Sequence, residues 1–129
     1  IESDHAPHTR TEKETDNPAY GVPGLETTLP LMLTAVAANR ISLEQVCDMV
    51  STNPCNIWNV TAPDDTYCLV DLDATYTINN AHLHTQCGWS PFEGMTVHGR
   101  VVENWIRGTQ VYDGERVLVE PGFGQNCYG

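Results

Sequence analysis

Basic side chains are scarce in this sequence. Its 129 residues include 6 lysines and arginines against 17 aspartates and glutamates, which gives a net charge of −11 at neutral pH. A surface with this excess of negative charge repels both the phosphate backbone of nucleic acids and anionic lipid headgroups. We therefore expect no nucleic-acid partner and no membrane partner.

Long hydrophobic runs and an initiating methionine are also missing. No stretch approaches the roughly 18 consecutive apolar residues that indicate a transmembrane helix, and the opening residues IESD do not resemble a signal peptide. The hydrophobic content of 40% is still sufficient for a core. We expect a cytoplasmic protein, and the opening residues look like the interior of a longer chain.

Closely spaced cysteine pairs, which form zinc knuckles, are absent as well. The sequence has 5 cysteines, and they are odd in number, widely spread and never arranged as Cys-x-x-Cys. They are Cys47, Cys55, Cys68, Cys87 and Cys127. This pattern favours buried or free thiols in a reducing compartment over a disulfide framework.

The segment at residues 3–9, SDHAPHT, carries the densest group of reactive side chains. Pro7 fixes its own φ and favours extended geometry just before it, so a helix is excluded and a strand end entering a loop is predicted. Barrel enzymes carry their catalytic residues at such places. Asp4 suits a general base and His8 a substrate-holding group, whereas His5 is expected to serve packing. A turn-capping aspartate beside two solvated histidines is the alternative that the residue types leave open.

Residues 9–24 are polar and rich in turn formers, and they directly follow the Asp4 and His8 pair. Loops of this length are usually either functional or disordered, so we predict an active-site loop. Glu12 and Lys13 are adjacent and are expected to form a local, solvated ion pair.

A first helix is predicted over residues 25–38. Pro30 is tolerated in a first turn, so the regular part should begin near Thr27 or Thr28, and Asn39 suits a left-handed stop. Apolar residues recur at the spacing of one buried helix face. They are Leu29, Met32, Leu33, Val36 and Ala37.

Two further helices are predicted before residue 60. Ser42 and Gln45 have the spacing of a capping box, which should start a helix that runs to about Val50. Asn53 followed by Pro54 suits the N-cap and first position of a short third helix.

The character of the chain changes to β after residue 60. Alternating or β-branched stretches predict strands at residues 67–72, 76–78, 97–106, 110–112 and 116–119. The dipeptide at Asp113 is Asp-Gly, a strong signal for a tight turn. The first half is therefore predicted to be helical and the second half to be a small antiparallel β unit.

Histidines and tryptophans outside the Asp4 segment are interpreted conservatively. His82 and His84 have the His-x-His spacing of some metal sites, but no carboxylate or third histidine is adjacent, so an exposed loop is preferred. Packing in the core or between domains is the default interpretation of the three tryptophans. These are Trp58, Trp89 and Trp105.

The motif DHAPHT at residues 4–9, followed by EK at 12–13 and GVPGLET at 21–27, resembles dihydroorotases of the amidohydrolase superfamily. Further matching blocks are LPL at 29–31, NP at 53–54, WSPFEG at 89–94, RG at 107–108, VY at 111–112 and PGFGQ at 121–125. The later blocks resemble the dihydroorotase domain of the animal-type multifunctional pyrimidine-synthesis protein. The related hydantoinases and dihydropyrimidinases share the aspartate but typically lack a histidine at the position of His8.

The resemblance implies an α/β architecture, namely a metal-dependent-hydrolase (β/α)8 barrel with a small β-sandwich beside it. A complete barrel needs about 250 residues, so this chain can contain only a part of one. We expect residues 1–60 to form the C-terminal segment of the barrel, with its last strand, active-site loop and helices. Residues 61–129 would form the C-terminal part of the β-sandwich and a tail.

The activity implied is the reversible cyclisation of N-carbamoyl-L-aspartate to L-dihydroorotate in de novo pyrimidine biosynthesis. In this family two zinc ions are held by histidines, an aspartate and a carbamylated lysine. Carried over by motif, Asp4 would contact zinc and move the proton, and His8 would bind the substrate carboxylate. The backbone at Tyr20 and Gly21 would contact the substrate ring. The resemblance further implies a homo-oligomer, and fusion to carbamoyl-phosphate synthetase and aspartate transcarbamylase domains.

The other zinc ligands of the family would lie upstream of these residues, so the chain alone is expected to be inactive. Two alternatives remain open. One is a dihydroorotase-like domain that has lost its zinc ligands and serves as a non-catalytic scaffold in a multifunctional protein. The other is a related cyclic amidase of the dihydropyrimidinase or hydantoinase type, against which His8 argues.

Overall fold

A computed structural model describes residues 1–126. The helices are α1 (Arg10–Lys13), α2 (Thr28–Ala37), α3 (Leu43–Cys47) and α4 (Asn53–Trp58), with a π-helical turn at Asp48–Thr52. The strands are β1 (Tyr67–Thr77), β2 (Thr96–Ile106) and β3 (Thr109–Tyr112), with a 3-10 turn at Asn80–His82. The predicted order of helices before strands is confirmed, whereas the division into domains near residue 60 stays a prediction.

The core lies where α2 packs on β2. Leu33 of α2 and Val97 of β2 are 2% and 0% exposed, and α2 can approach β2 closely because Gly99 has no side chain. A Cβ at Gly99 would lie 2.6 Å from the Cβ of Leu33, and its φ of +82° is one that glycine adopts readily. The N–H of His98 also donates to the Thr34 hydroxyl at 2.9 Å. The other buried hydrophobic residues are Ala35, Val46, Ile78 and Val111.

The first predicted helix is confirmed, but its buried face differs from the prediction. α2 begins at Thr28 and is followed by Asn39 in the left-handed region, at φ +54°. Pro30 and Ala35 are buried together with Leu33, whereas Ala37 is exposed. The difference arises because α2 contacts both β2 and α3, so its buried surface is wider than one stripe.

The second and third predicted helices are one continuous helical run. The capping box is present, since Ser42 Oγ accepts from the Gln45 N–H at 3.2 Å and Gln45 Oε1 accepts from the Ser42 N–H at 2.8 Å. Asn53 is not an N-cap, because its φ and ψ of −68° and −45° are helical. The π-helical turn lies directly ahead of Pro54, which lacks an N–H, and the run ends at Asn59 with φ +52°.

β1, β2 and β3 form one antiparallel sheet in that order. The two strands predicted at 67–72 and 76–78 are a single strand with a bulge, where the register shifts between Asp71 and Thr75. The carboxylate of Asp71 accepts from the N–H groups of Asp73 and Ala74 at 3.0 and 3.3 Å, and these bonds turn the strand out of register without ending it.

The strand predicted at 116–119 is not formed as such. Val117 makes an isolated bridge to Tyr112. The predicted turn is present, and the Asp113 carboxylate accepts from the N–H groups of Glu115 and Arg116 at 3.0 and 2.9 Å. These bonds hold the start of the predicted strand in the turn, so too few residues remain for a regular pair.

The packing expected of the tryptophans is only partly found. Trp105 stacks on Tyr67 with ring centroids 6.1 Å apart. Trp58 is 68% exposed instead of packed in the core of the described residues. The four cysteines within residues 1–126 are all free thiols, and Cys127 lies outside the described residues. None of the helices in residues 1–126 has the length and apolar character needed to cross a membrane.

Candidate active site

Asp4 has an unusual backbone conformation. Its φ is +45°, in the left-handed region that aspartate and asparagine tolerate better than most residues, and it is exposed. The preceding residues do not form the regular strand that was predicted. The extended segment is paired at His5 alone, because a barrel strand needs neighbours on both sides and the described chain supplies one short partner.

That partner is the loop that ends the 9–24 stretch. His5 and Val22 form a parallel bridge, in which the N–H of Ala6 donates to the Val22 carbonyl at 3.0 Å. The His5 side chain fastens the same loop, since its Nδ1 lies 3.2 Å from the backbone nitrogens of both Gly24 and Leu25. With two N–H donors aimed at it, Nδ1 acts as the acceptor. His5 thus binds the loop and is not free to serve as a ligand through this atom.

Gly21 lies directly against the Asp4 segment, residues 3–9. A Cβ at Gly21 would approach the Cβ of Ala6 to 2.4 Å, and its φ is +91°. Both facts exclude a larger residue there. The loop residues Tyr20 and Gly21 are therefore held beside the stretch that runs from Asp4 to His8. The Tyr20 side chain is 93% exposed.

Lys13 fixes the loop from the other side. Its ammonium donates to the carbonyl of Ala19 and, at 2.8 Å, to the carbonyl of Gly21. The predicted ion pair between Glu12 and Lys13 is wrong, because each has another partner. Glu12 forms a capping box with Thr9 at the start of α1.

His8 is held at both of its peptide groups. Its N–H donates to the Ala6 carbonyl at 2.9 Å, and its carbonyl accepts from the indole N–H of Trp89 at 2.8 Å. The side chain is 39% exposed, and Nδ1 lies 3.9 Å from a carboxylate oxygen of Glu12. The pKa of Glu12 is lowered chiefly by hydrogen bonds from the Thr9 N–H and hydroxyl, with a smaller effect of His8. An ionised carboxylate therefore faces the imidazole at neutral pH.

The connection between β1 and β2, residues 78–95, packs against the chain around Glu26, next to the loop that ends the 9–24 stretch. Glu26 accepts from the N–H groups of His84 and Thr85 at 2.8 and 2.7 Å. A cavity of about 10 Å³ between this connection and the loop has room for about one water molecule. Its lining residues are His5, Pro23, Leu25, Glu26, Thr27, Leu83, Thr85, Trp89 and Ser90. It is too small for a substrate, so it marks a packed junction.

Metal ligands do not gather within residues 1–126. No group of three or more histidine, cysteine, aspartate and glutamate side chains there could hold a metal ion. His82 belongs to the 3-10 turn, and the ring of His84 meets that of Tyr112 edge-on with centroids 5.9 Å apart. Asp4 can supply one carboxylate, and a zinc site would need its other ligands from outside these residues.

The structure thus brings the Asp4 segment and the loop of Tyr20 and Gly21 side by side, as the interpretation of an active-site loop requires. It adds contacts that the sequence analysis missed. The Thr9 and Glu12 spacing is a capping-box signature that could have revealed α1. The bond from Trp89 to His8 joins residues far apart in sequence, and no local pattern indicates it.

No protein-family model matches the chain. Individual proteins match it over nearly its whole length. Multifunctional protein pyr1-3 of Dictyostelium discoideum is 45% identical over 126 residues, and multifunctional protein CAD of Squalus acanthias is 42% identical over 124. These alignments cover 98% and 96% of this chain and 6% of each relative. The dihydroorotase of Pyrococcus furiosus is 37% identical over 127 residues, covering 94% of this chain and 30% of the enzyme.

Solved structures agree with these relatives. The L-hydantoinase (dihydropyrimidinase) of Arthrobacter aurescens matches with a TM-score of 0.75 and 35% identity over 84% of this chain and 26% of its own. An inactive dihydroorotase-like domain of a CAD-like multifunctional protein of Chaetomium thermophilum matches with a TM-score of 0.67 and 25% identity, over 77% and 28%. The chain thus spans at most about a third of each of these proteins. By its sequence, the chain belongs to the dihydroorotase family.

Proposed function

We propose that this chain is part of a zinc-dependent dihydroorotase, and that the complete protein catalyses the reversible cyclisation of N-carbamoyl-L-aspartate to L-dihydroorotate in pyrimidine biosynthesis. The observation that carries the proposal is the parallel bridge of His5 to Val22. This bridge holds the segment that carries Asp4 and His8 beside the loop of Tyr20 and Gly21. The dihydroorotase of Pyrococcus furiosus matches 94% of this chain, which supports the same assignment.

The architecture proposed is the corresponding part of a (β/α)8 barrel with strands of a β-sandwich. Residues 1–60 would belong to the barrel, and residues 61–129 to the sandwich and tail. The helical first half and the antiparallel sheet of the second half support this division. The complete protein would be cytoplasmic, homo-oligomeric and fused to other pyrimidine-synthesis domains. The multifunctional relatives support the fusion.

Asp4 would act on the proton of the reaction. Ring closure forms a bond between the ureido nitrogen and the side-chain carboxyl carbon of the substrate and releases water. The nitrogen must lose one proton, and the departing oxygen of the ionised carboxylate must gain two to form water. A single carboxylate can carry the proton from the nitrogen to the oxygen, and the second proton comes from solvent. The Asp4 side chain is exposed, so a substrate can reach it. Zinc, when bound, would supply Lewis acidity, with Asp4 as the one ligand from this chain.

His8 would bind the second carboxylate of the substrate, the one that does not react. Its backbone is fixed on both sides, so the imidazole projects from a defined position. The backbone groups of Tyr20 and Gly21 would contact the ring, since Gly21 packs on Ala6 between Asp4 and His8. Because the His8 backbone is held in place, its imidazole would bind the substrate in an orientation suited to ring closure.

The proton-transfer role is tested by Asp4→Asn in the complete protein. Asparagine keeps the size of the side chain but cannot accept the proton, so kcat should fall by about 10²–10⁴-fold. The zinc content and the midpoint of thermal unfolding are measured alongside, because loss of metal or fold would also lower kcat. A variant that folds, retains its zinc and keeps more than about a tenth of the rate would contradict the role.

The carboxylate-binding role is tested by His8→Phe, because phenylalanine keeps a ring and has no N–H donor. Loss of a hydrogen bond to a charged group should raise KM for N-carbamoyl-L-aspartate by roughly tenfold or more, with a smaller change in kcat. An unchanged KM would remove the assignment. Comparing the two variants separates chemistry at Asp4 from binding at His8.

Two competing functions have specific support. The 35% identity to a hydantoinase favours a related cyclic amidase, and the match to an inactive domain favours a non-catalytic scaffold. Turnover of L-dihydroorotate, dihydrouracil and hydantoin by the purified complete protein distinguishes them. A preference for either neutral ring would favour the amidase, and no turnover together with no bound zinc would favour the scaffold.

A further inference from the structure

The bond between Trp89 and His8 joins the two halves of the chain at the proposed active site. The indole N–H of Trp89 lies 2.8 Å from the carbonyl oxygen of His8, and the two residues are 81 positions apart in sequence. Trp89 belongs to the β1–β2 connection, which the proposed mechanism does not use. A partly buried indole donor directed at the backbone of a substrate-binding histidine calls for a functional explanation.

The β1–β2 connection holds Trp89 from both sides. The N–H of the next residue, Ser90, donates to the side chain of Asn80 at 2.8 Å, and Ser90 is 5% exposed. The amide of Asn80 in turn donates to Glu93, which also lies 3.5 Å from the guanidinium of Arg10. Arg10 starts α1, two positions after His8. The indole is therefore a fixed donor.

The bond matters because of what surrounds His8 in the chain. On the N-terminal side of His8, Pro7 has a fixed φ, and the N–H of His8 is bound to the Ala6 carbonyl. The peptide that follows His8 is held at both of its polar atoms, because the Thr9 N–H donates to the Glu12 carboxylate at 2.7 Å and the His8 carbonyl accepts from the indole of Trp89. With both flanking peptide groups held, the position of the His8 Cα and the direction of its Cα–Cβ bond are fixed.

We propose that Trp89 is a positioning residue for substrate binding: through the carbonyl of His8, it sets where the imidazole meets the substrate carboxylate. This inference rests on the proposed function of His8. It makes the β-rich half of the chain a part of the active site's support. Misplacement of a binding group by about 1 Å can cost up to about 10²-fold in activity, so one backbone hydrogen bond can have a measurable effect.

Trp89→Phe in the complete protein is the test, because phenylalanine retains an aromatic ring and removes the N–H donor. KM for N-carbamoyl-L-aspartate should rise by roughly fivefold to thirtyfold while kcat changes by less than about threefold. Trp105→Phe is the matched control. It removes an indole donor of similar geometry, bound to Glu103 at 2.7 Å, from a strand, and should leave KM unchanged.

A double-mutant cycle separates positioning from general structural support. If Trp89 acts through His8, Trp89→Phe should change KM by less than about twofold in a His8→Phe background. An equal rise in KM with and without His8 would overturn the proposal. So would the absence of a rise in the protein that retains His8. Should Trp89→Phe fail to fold, benzothienylalanine at position 89 replaces the N–H by sulfur within a ring of the same shape.

The proposal and the proposed function can fail separately. A wild-type protein without dihydroorotase activity would refute the function, and hydrogen exchange would then decide the positioning role. Exchange of the amides in residues 3–9 should be faster in Trp89→Phe than in Trp105→Phe. Equal exchange in the two variants would overturn the positioning role whatever the activity.

Discussion

Asp4 shows how far a single residue could be understood from the sequence. The motif predicted it as the reactive carboxylate, but its φ of +45° was not foreseen. A non-glycine residue in this region costs about 1–2 kcal/mol, which the surrounding structure must offset. The offset comes from the neighbouring pair of His5 and Val22 and from Gly21, which are contacts with a loop much later in the chain. Residue type can be read locally, whereas this conformation depends on a distant partner.

Lys13 was assigned the wrong partner for a related reason. Adjacent opposite charges suggest an ion pair, but an exposed ion pair contributes little to stability, whereas the Lys13 ammonium donates to two backbone carbonyls of the loop at once. Lys13→Met keeps the apolar stem and removes both bonds. We expect faster hydrogen exchange at residues 19–24 and a KM raised about threefold to tenfold in the complete protein, because the loop backbone at Tyr20 and Gly21 loses its support.

Arg116→Met is the control for Lys13→Met, since it also removes one positive charge. Arg116 pairs with Asp113 at 3.3 Å in an exposed turn, and its side chain is 79% exposed. Neither exchange in the loop nor KM should change in this variant. If Lys13→Met behaved in the same way, Lys13 would have no role in holding the loop.

At the scale of elements, the sequence predicted what local hydrogen bonds and periodicity determine. The capping box at Ser42 and the start of α2 at Thr28 were correct because their partners lie within one turn. Errors arose where an element is continued or ended by its surroundings. The π-helical turn carries the helix past Asn53, and the bulge at Asp71 keeps β1 in one piece. In both cases an irregular turn joined segments that sequence rules would separate.

The cap of α1 gives a pH-dependent prediction. The pKa of Glu12 is lowered by its hydrogen bonds with Thr9, so the ionised form stabilises the capped helix. This contribution is complete above the pKa of an unfolded glutamate, about 4.3, and is lost as the pH falls through the lower folded value. We expect exchange of the Thr9 amide, expressed relative to its intrinsic rate at each pH, to accelerate below about pH 4, as measured by NMR across an acid titration.

Glu12→Gln provides the comparison for this titration. Glutamine can also complete a capping box, but it has no proton to gain in this range. The cap should persist in the variant, and the acceleration of exchange centred on the glutamate titration should disappear. The same acid-induced change in both proteins would mean that another carboxylate, and not Glu12, controls the end of α1.

At the scale of the whole molecule, the described residues expose much apolar surface. Leu25, Ile57 and Trp58 are 65%, 73% and 68% exposed. Composition predicted a core but could not show that these side chains lie outside it. Single exposed apolar residues are common, yet Ile57 and Trp58 are adjacent on α4 and both are large. The chain spans 30% of the Pyrococcus furiosus dihydroorotase, so we expect the remainder of the complete protein to cover α4.

Trp58→Ser in the complete protein tests this expectation. If Trp58 is covered, the variant should lose about 3 kcal/mol of unfolding free energy, because a large buried side chain is replaced by a small polar one. Asn56→Ser on the same helix is the control, since Asn56 is exposed and serine has a similar helix propensity. It should change stability by no more than about 0.5 kcal/mol in chemical denaturation. A Trp58 variant as stable as the Asn56 variant would mean that α4 faces solvent in the complete protein. The helices of residues 1–60 would then be stabilised mainly by the core that α2 forms with β2.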